Sequence, residues 1–254
     1  MINNPFSLNG KIILVTGASS GIGQQCAISC SHMGAIVVLV ARNEERLRNT
    51  ILQMHGNNHY YFVCDLTIQT EVDKLVQNVK NNLGPIDGII NCAGISTTIP
   101  LKLMDANKVY EFFKTNVFSG IELTRQFCKI GYLNKEGASI IFLSSVMGCV
   151  GENGKSLYSM TKGALISAVR SLACEYAKRN IRFNAISPGA IITPINKDLP
   201  HIKNEELRKK LEEKHLLGLG KTSDVANAAI YLLSDASRWV TGQNFIIDGG
   251  YTII

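Results

Sequence analysis

The feature of this sequence that most constrains its fold is the alternation of short apolar runs with longer helical patterns. The apolar runs are rich in Ile, Val and Phe, and most of their apolar residues are consecutive rather than alternating with polar ones. Continuous runs of this length indicate strands that are buried on both faces, as in a parallel sheet. The runs span residues 11–17, 35–41, 60–65, 86–94, 138–145, 181–189 and 244–250. The helical patterns between them span residues 20–33, 43–55, 69–82, 105–132, 156–179 and 222–235.

This β-α-β-α order predicts the fold class. Such an alternation is typical of an α/β, Rossmann-type, doubly wound parallel sheet of about seven strands with helices on both faces. The chain has 254 residues, of which 46% are hydrophobic, and no Pro/Ser linker or internal repeat divides it. A chain of this size can bury one large core, so we expect a single domain over 1–254. Ligands of such sheets bind beyond the carboxyl ends of the strands.

Composition and charge argue against several functional classes. The net charge of +6 is mild, and basic residues are mixed with acidic ones, which gives little support for nucleic-acid binding. The apolar runs are too short to span a membrane, and the N-terminus lacks the pattern of a signal peptide. The seven cysteines have no CxxC or Cys/His metal spacing, so we expect reduced thiols, no metal site and a cytoplasmic protein.

The segment after the first apolar run is a candidate phosphate-binding loop. It reads "TGASSGIG" over 16–23 and leads directly into a helical pattern. Glycines permit a tight turn and a close approach to a pyrophosphate, and the free N–H groups of a helix N-terminus attract its charge. A glycine-rich turn without a ligand is the alternative. The residues expected to contact a dinucleotide here are Gly17, Ser19, Ser20, Gly21, Ile22 and Gly23.

A tyrosine and a lysine one helical turn apart form the candidate catalytic pair. Tyr158 and Lys162 are four residues apart in the helical pattern 156–179, so their side chains share one face. An ammonium at about 4 Å, at an effective dielectric near 20, would favour the phenolate by about 4 kcal/mol. That energy corresponds to a pKa lowered by about three units from about 10, as an upper-end estimate. We therefore expect Tyr158 to act as a general acid and base.

Three motifs in the same order resemble the short-chain dehydrogenase/reductase family. They are GxxxGxG at 17–23, "NCAG" at 91–94 and Tyr-xxx-Lys at 158–162, and the likeness continues to "TGQNFIIDGG" near the C-terminus. The pattern is similar above all to that of the 3-oxoacyl-[acyl-carrier-protein] reductases. The resemblance implies a dinucleotide-binding and catalytic domain that reduces a carbonyl to an alcohol by hydride transfer. It also implies a catalytic tetrad of Asn116, Ser145, Tyr158 and Lys162.

The resemblance assigns a role to each of these residues. Ser145 would hydrogen-bond the substrate oxygen, with Ser144 as the competing candidate, and Lys162 would hold the nicotinamide ribose. The backbone carbonyl of Asn116 would hold a water beside Lys162. The further residues implied as cofactor contacts are Asp65 and Leu66 at the adenine, Asn91, Ala93 and Gly94 beneath the ribose, and Pro188, Gly189, Ile191 and Thr193 around the nicotinamide.

The end of the second strand bears on the choice of cofactor. An Asp or Glu commonly holds the free ribose 2′-hydroxyl of NAD at this place, but here the chain has Ala41 and Arg42. The guanidinium of Arg42 can bind a 2′-phosphate with two hydrogen bonds, so NADP(H) is the expected cofactor and NAD(H) remains possible. The alternative is that Arg42 is an ordinary charge at a helix start. Many NADP-preferring relatives have a second basic residue in the glycine loop, where this chain has Ser20.

Three functional hypotheses follow. The first is an NADPH-dependent reductase of 3-oxoacyl thioesters bound to a carrier protein, although Thr97 and Thr98 replace the Arg-Asp pair usual in those enzymes. Arg179 matches a position that such reductases use to dock the carrier. The second is an NAD(P)-dependent dehydrogenase of a free small-molecule alcohol, such as a polyol, sugar or hydroxysteroid. The third is a non-catalytic cofactor-binding scaffold, which the complete tetrad disfavours.

Two further expectations concern the lid and the assembly. The polar segment 194–220 is interpreted either as a lid over the substrate or as a plain surface helix. The resemblance implies a homotetramer that uses the helices over 105–132 and 156–179 and the C-terminal "DGGYTII" at its interfaces. That apolar tail could equally cover its own sheet. No nucleic acid or membrane is expected as a partner.

Overall fold

A parallel seven-stranded sheet in the order β3-β2-β1-β4-β5-β6-β7 organises the protein. The computed structural model describes residues 4–193 and 204–254. Each predicted apolar run contains a strand. The strands are β1 (Ile12–Thr16), β2 (Ile36–Ala41), β3 (Tyr60–Val63), β4 (Gly88–Asn91), β5 (Ala138–Leu143), β6 (Ile181–Pro188) and β7 (Asn244–Ile247).

The helices lie between successive strands, as the alternation predicts. They are α1 (Gly21–His32), α2 (Glu44–Ile51), α3 (Gln69–Leu83), α4 (Ala106–Phe113), α5 (Ser119–Phe127), α6 (Ser156–Tyr176), α7 (Glu205–Glu213) and α8 (Thr222–Leu233). The prediction of one uniform helix over 105–132 is wrong, because a π-helical segment, Lys114–Phe118, separates α4 from α5. Helix α7 belongs to the predicted lid, of which residues 194–203 lie outside the described part of the chain.

Two apolar cores cover the two faces of the sheet. Because side chains alternate along a strand, Ile13 and Val15 of β1 pack on one face and Leu14 on the other. Helices α1, α2 and α8 cover the first face, and α3, α5 and α6 cover the second. The predicted fold class is thereby confirmed. Within the described residues, no helix is long and apolar enough to cross a membrane.

Candidate active site

A cavity of about 980 Å³ lies at the carboxyl ends of the strands. Because all strands run the same way, the loops after β1, β2, β4, β5 and β6 meet at this edge. Every predicted cofactor contact except Asn91 lines the cavity, from Gly17 in the first loop to Thr193 beyond the sixth strand. Ser145, Tyr158 and Lys162 of the predicted tetrad line it as well, whereas Asn116 does not.

The glycine loop is shaped for a close backbone approach. Gly17 has a φ of +65°, in the left-handed region that favours glycine, and a Cβ on Gly23 would lie 2.4 Å from the Gly17 carbonyl oxygen. Ser20 precedes α1 in an extended conformation, and its side chain makes no capping hydrogen bond. The N–H groups of the first turn therefore have no side-chain cap and remain available to an anion. This loop fits the pyrophosphate of a dinucleotide.

Ser145 and Tyr158 form the polar centre of the cavity wall. Ser145 follows β5, and both it and Tyr158 of α6 line the cavity, where the Ser145 hydroxyl lowers the pKa of the phenol. The competing Ser144 is buried and donates its hydroxyl proton to the Lys162 carbonyl at 2.8 Å. The geometry therefore places Ser145, rather than Ser144, beside the phenol.

The electrostatics of the Tyr158 and Lys162 pair differ from the expectation. Burial raises the pKa of Tyr158 to about 12, although the hydrogen bond from Ser145 lowers it. Burial likewise lowers the pKa of Lys162 to about 8. The Lys162 ammonium lies 5.6 Å from the centre of the Tyr158 ring and donates to the Leu143 carbonyl at 2.7 Å. The predicted acidification of Tyr158 by Lys162 is therefore wrong for the protein alone, because burial dominates the pKa of Tyr158 and the group that lowers it is Ser145, not Lys162.

Asn116 supports the site from behind the cavity wall. Its Oδ1 accepts a hydrogen bond from the Ile95 N–H at 2.7 Å, and its Nδ2 donates to the Ile95 carbonyl and to the Thr161 hydroxyl. A Cβ on Gly94 would lie 3.1 Å from Asn116 Oδ1 and 3.7 Å from Lys162 Nζ. The side chain of Asn116 thus ties the loop after β4 to α6 and is separated from Lys162 by Gly94.

The prediction that Asn91 packs beneath the ribose is wrong for its side chain. Asn91 is buried, and its Nδ2 donates to the Thr124 hydroxyl at 3.3 Å on α5, away from the cavity. Its Oδ1 has no hydrogen-bond partner within the described residues. The contact with α5 agrees with the other part of the expectation, that Asn91 stabilises the central strand.

Basic residues line the cavity beside Asp65, where the adenine is predicted to bind. Arg42 lines the cavity with 75% of its side chain exposed, and its Nη1 lies 3.9 Å from Asp65 Oδ2. Burial raises the pKa of Asp65, but hydrogen bonds from Thr67 and the charge of Arg42 outweigh that effect and hold this pKa below its ordinary value. Arg46 of α2, four residues after Arg42, also lines the cavity, and the sequence patterns did not single it out.

The opposite end contains several residues that the sequence patterns missed. Glu152 and Lys155 come from the segment before α6, and Lys155 precedes Tyr158 by three residues, a spacing that could have revealed it. Leu207 and Leu211 of α7 border the same space. The C-terminal tail joins them through Tyr251 and Ile254, which border the cavity.

His215, just after α7, connects the end of this helix to the cavity wall through hydrogen bonds and ring stacking. Its Nε2 accepts a hydrogen bond from the Ala190 N–H at 3.1 Å, so its Nδ1 donates to the Leu211 carbonyl at 2.8 Å. The ring also stacks on Tyr251 with 4.8 Å between ring centres. No sequence pattern singled out His215, because only the fold brings its three contacts together.

Comparisons with known proteins agree with this geometry. A family model described as Enoyl-(Acyl carrier protein) reductase matches residues 17–252. The 3-oxoacyl-[acyl-carrier-protein] reductase of Bos taurus is 35% identical over 94% of this chain and 97% of its own length. A solved 7α-hydroxysteroid dehydrogenase, complexed with NADH and 7-oxo glycochenodeoxycholic acid, is 30% identical with a TM-score of 0.92 and covers 98% of both chains. A gluconate 5-dehydrogenase from Burkholderia cenocepacia, in complex with NADP and tartrate, is 26% identical with a TM-score of 0.91 and the same coverage.

Proposed function

The chain belongs to the short-chain dehydrogenase/reductase family of oxidoreductases, which act on CH–OH and C=O groups, and we propose that it is an NADPH-dependent carbonyl reductase. The observation that carries this proposal is that Ser145, Tyr158 and Lys162 line one cavity together with the glycine loop. A bound dihydronicotinamide would supply the hydride. The residues of the chain would bind, orient and protonate the substrate.

The raised pKa of Tyr158 suits the reductive direction. With a pKa of about 12, the phenol keeps its proton at neutral pH. An alkoxide is far more basic than a phenolate, so Tyr158 still protonates an oxygen that gains negative charge. The Ser145 hydroxyl donates a second hydrogen bond to that oxygen. Lys162 would hold the nicotinamide ribose, and Asn116 would keep the loop after β4 in place beside it.

The test of this proposal is the variant Tyr158→Phe. We expect the loss of general acid catalysis to lower kcat for carbonyl reduction by about 10²- to 10⁴-fold while NADPH binding is retained. NADPH oxidation in the presence of a ketone panel measures the rate, and fluorescence titration measures binding. Tyr60→Phe, on an exposed tyrosine of β3, is the matched control and keeps full activity. Undiminished turnover by Tyr158→Phe would refute the mechanism.

NADPH is proposed as the preferred cofactor because two guanidinium groups border the adenine end of the cavity. Arg42 and Arg46 both line it, and Arg46 supplies the second positive charge that the glycine loop lacks at Ser20. A 2′-phosphate would make charge-assisted hydrogen bonds there. We expect Arg42→Asp to raise the KM for NADPH by about 10- to 100-fold and to affect NADH much less. Arg48→Ala, on α2 outside the cavity, is the control, and an unchanged KM in Arg42→Asp would overturn the assignment.

Two substrate classes are supported by different observations. Similarity to 3-oxoacyl-[acyl-carrier-protein] reductases supports a 3-oxoacyl thioester. Docking of a carrier protein through Arg179 has less support, because this guanidinium donates to the Cys128 carbonyl and lies 5.6 Å from the Tyr176 ring centre. Polar residues at the substrate end, Glu152 and Lys155, support a small polar substrate, as does similarity to a gluconate 5-dehydrogenase. Assays of acetoacetyl-coenzyme A beside polyols, sugar acids and steroids separate the two.

We also propose that α7 is part of a lid and that the protein is a homotetramer. The lid is supported by Leu207 and Leu211, which border the cavity from a helix that carries mostly charged residues elsewhere. The assembly is supported by exposed apolar side chains on α4, the π-helical segment and α6.

A further inference from the structure

The feature that the proposed chemistry leaves unused is a buried cation at the substrate end of the cavity. Lys155 is only 7% exposed, yet it borders the cavity that Tyr158 and Ser145 also border. It lies directly before α6, three residues before Tyr158. A substrate whose carbonyl meets Tyr158 and Ser145 therefore shares one cavity with the side chain of Lys155.

The ammonium of Lys155 lacks a partner that balances its charge. Its Nζ donates to the Thr97 carbonyl at a long 3.3 Å, and within residues 4–193 and 204–254 no carboxylate lies within 4.0 Å of it. An ammonium has three N–H donors, so the described protein leaves two of them unused. A buried charge is costly unless it is paired.

Burial also lowers the pKa of Lys155, and the charge of Glu152 raises it without forming an ion pair. Glu152 is exposed, so water screens much of this interaction.

The other lysines at the cavity are already occupied or are solvated. Lys162 donates to the Leu143 carbonyl on the cofactor side, and Lys210 of α7 pairs with Glu206 at 2.6 Å. Lys214 is exposed to solvent. Lys155 therefore combines burial, a place on the cavity wall and unused donors, which is the combination expected of a residue that binds an anion from outside the protein.

We propose that Lys155 binds an anionic group, a carboxylate or a phosphate ester, carried by the carbonyl substrate. The natural substrate is then an oxo acid or a ketose phosphate rather than a neutral ketone or an acyl thioester. This inference rests on the proposed carbonyl reductase function and names the substrate class of that site. Ser145 and Tyr158 hold the carbonyl oxygen, and Lys155 holds the anion and so fixes which way the substrate lies.

The test compares matched pairs of substrates that differ in charge. The pairs are 4-oxopentanoate with its methyl ester, and dihydroxyacetone phosphate with dihydroxyacetone. We expect the wild-type protein to prefer the anion of at least one pair in kcat/KM, and the pair that responds identifies a carboxylate or a phosphate. Lys155→Met should reduce that preference by about 10- to 100-fold, the effect of losing a charge-assisted hydrogen bond.

Controls separate the charge of Lys155 from its structural contact with Thr97. Lys155→Gln keeps a donor without the charge, and it should lose the preference as Lys155→Met does. Lys178→Met, on an exposed lysine outside the cavity, leaves the preference unchanged. Melting temperatures establish that each variant is folded. A merely structural role would lower the rates for both members of a pair equally, so an unchanged ratio overturns the inference.

A binding measurement distinguishes failure of this inference from failure of the proposed function. Titration calorimetry with 4-oxopentanoate or dihydroxyacetone phosphate, in the presence of NADP⁺, reports anion binding without turnover. Binding that is lost in Lys155→Met supports the anion site even if no carbonyl is reduced, a result that would refute the reductase function alone. Reduction of neutral ketones or acetoacetyl-coenzyme A without any preference for anions refutes the inference and leaves the reductase function intact.

Discussion

At the scale of single residues, burial acts on Tyr158 and Lys162 in opposite senses. It raises the pKa of the phenol to about 12 and lowers that of the ammonium from 10.5 to about 8. In both cases the neutral form is favoured, because the cavity wall replaces water around each group. Tyr158 therefore keeps its proton at neutral pH. Lys162 stays charged below pH 8, and burying that charge lowers the free energy of unfolding.

That cost predicts a pH-dependent gain in stability for Lys162→Met. Below pH 8 Lys162 is charged in both states, so the penalty for burying it is fully present, and it fades as the pH rises toward 10.5. We expect the variant to be more stable than the wild-type protein by about 1–3 kcal/mol at pH 7, less the lost hydrogen bond to Leu143. Urea unfolding at pH 7 and pH 10 measures the difference. An advantage that stays constant over this range would contradict the lowered pKa.

The glycine loop gives a second residue-scale prediction. In Gly23→Ala, the added Cβ would lie 2.4 Å from the Gly17 carbonyl oxygen, so the loop must open. We expect NADPH affinity to fall by at least about tenfold and the melting temperature to drop, as for other steric conflicts of about 1–3 kcal/mol. Gly163→Ala is the control, because its Cβ would meet only the Gly148 carbonyl oxygen at 3.6 Å in a helix that favours alanine. Equal NADPH affinity in the two variants would show that NADPH binding does not depend on the close approach of Gly23 to the Gly17 carbonyl.

At the scale of elements, the apolar runs and helical patterns predicted the architecture because the five central strands are buried on both faces, whereas the edge strands β3 and β7 are only partly buried. The patterns could not predict the π-helical segment Lys114–Phe118, since no periodicity separates it from the flanking turns. It coincides with Asn116, whose side chain is bonded to Ile95 of another loop. A tertiary contact of this kind has no local sequence signal.

The candidate site was predictable to the extent that motifs lie at strand ends. The glycine loop, Ser145, Tyr158 and Lys162 all line the cavity as the motifs imply. Asn91 was misplaced because a strand residue can face either side of the sheet, and its motif does not say which. Lys155 was missed because a lysine before a helix is commonly exposed, and only the packing of the Thr97 loop buries it.

Helix α7 gives an element-scale prediction through His215. This histidine lies just after the helix, accepts a hydrogen bond from the Ala190 N–H and stacks on Tyr251 of the tail. His215→Leu removes both hydrogen bonds, so we expect faster amide hydrogen exchange over 204–214 and a severalfold higher KM for substrate and cofactor. Lys209→Ala, on an exposed residue of α7 outside the cavity, serves as control and changes neither. If exchange over 204–214 is the same in His215→Leu and the wild-type protein, this histidine does not hold the helix.

At the scale of the whole molecule, the fold concentrates polar chemistry at one edge and leaves apolar side chains exposed elsewhere. The loops that line the cavity all follow the carboxyl ends of strands. The outward faces of α4 and α6 have no role in the proposed chemistry. Tyr110 of α4 and Phe118 of the π-helical segment are 61% and 50% exposed. Met160 of α6 is also exposed, and α6 packs against both of these elements. Exposed apolar groups on packed helices are typical of an interface.

The last prediction is that these helices join four copies of the chain. We expect sedimentation velocity to report a homotetramer and Phe118→Glu to shift it to smaller species, because each symmetric interface would bury two unpaired carboxylates. Trp239→Glu is the matched control, since Trp239 is 91% exposed but lies outside these helices. If Trp239→Glu dissociates the assembly and Phe118→Glu does not, the interface lies on another face of the protein. A wild-type protein that sediments as a single chain would refute the tetramer, and the cavity would then have to function without a residue from a partner.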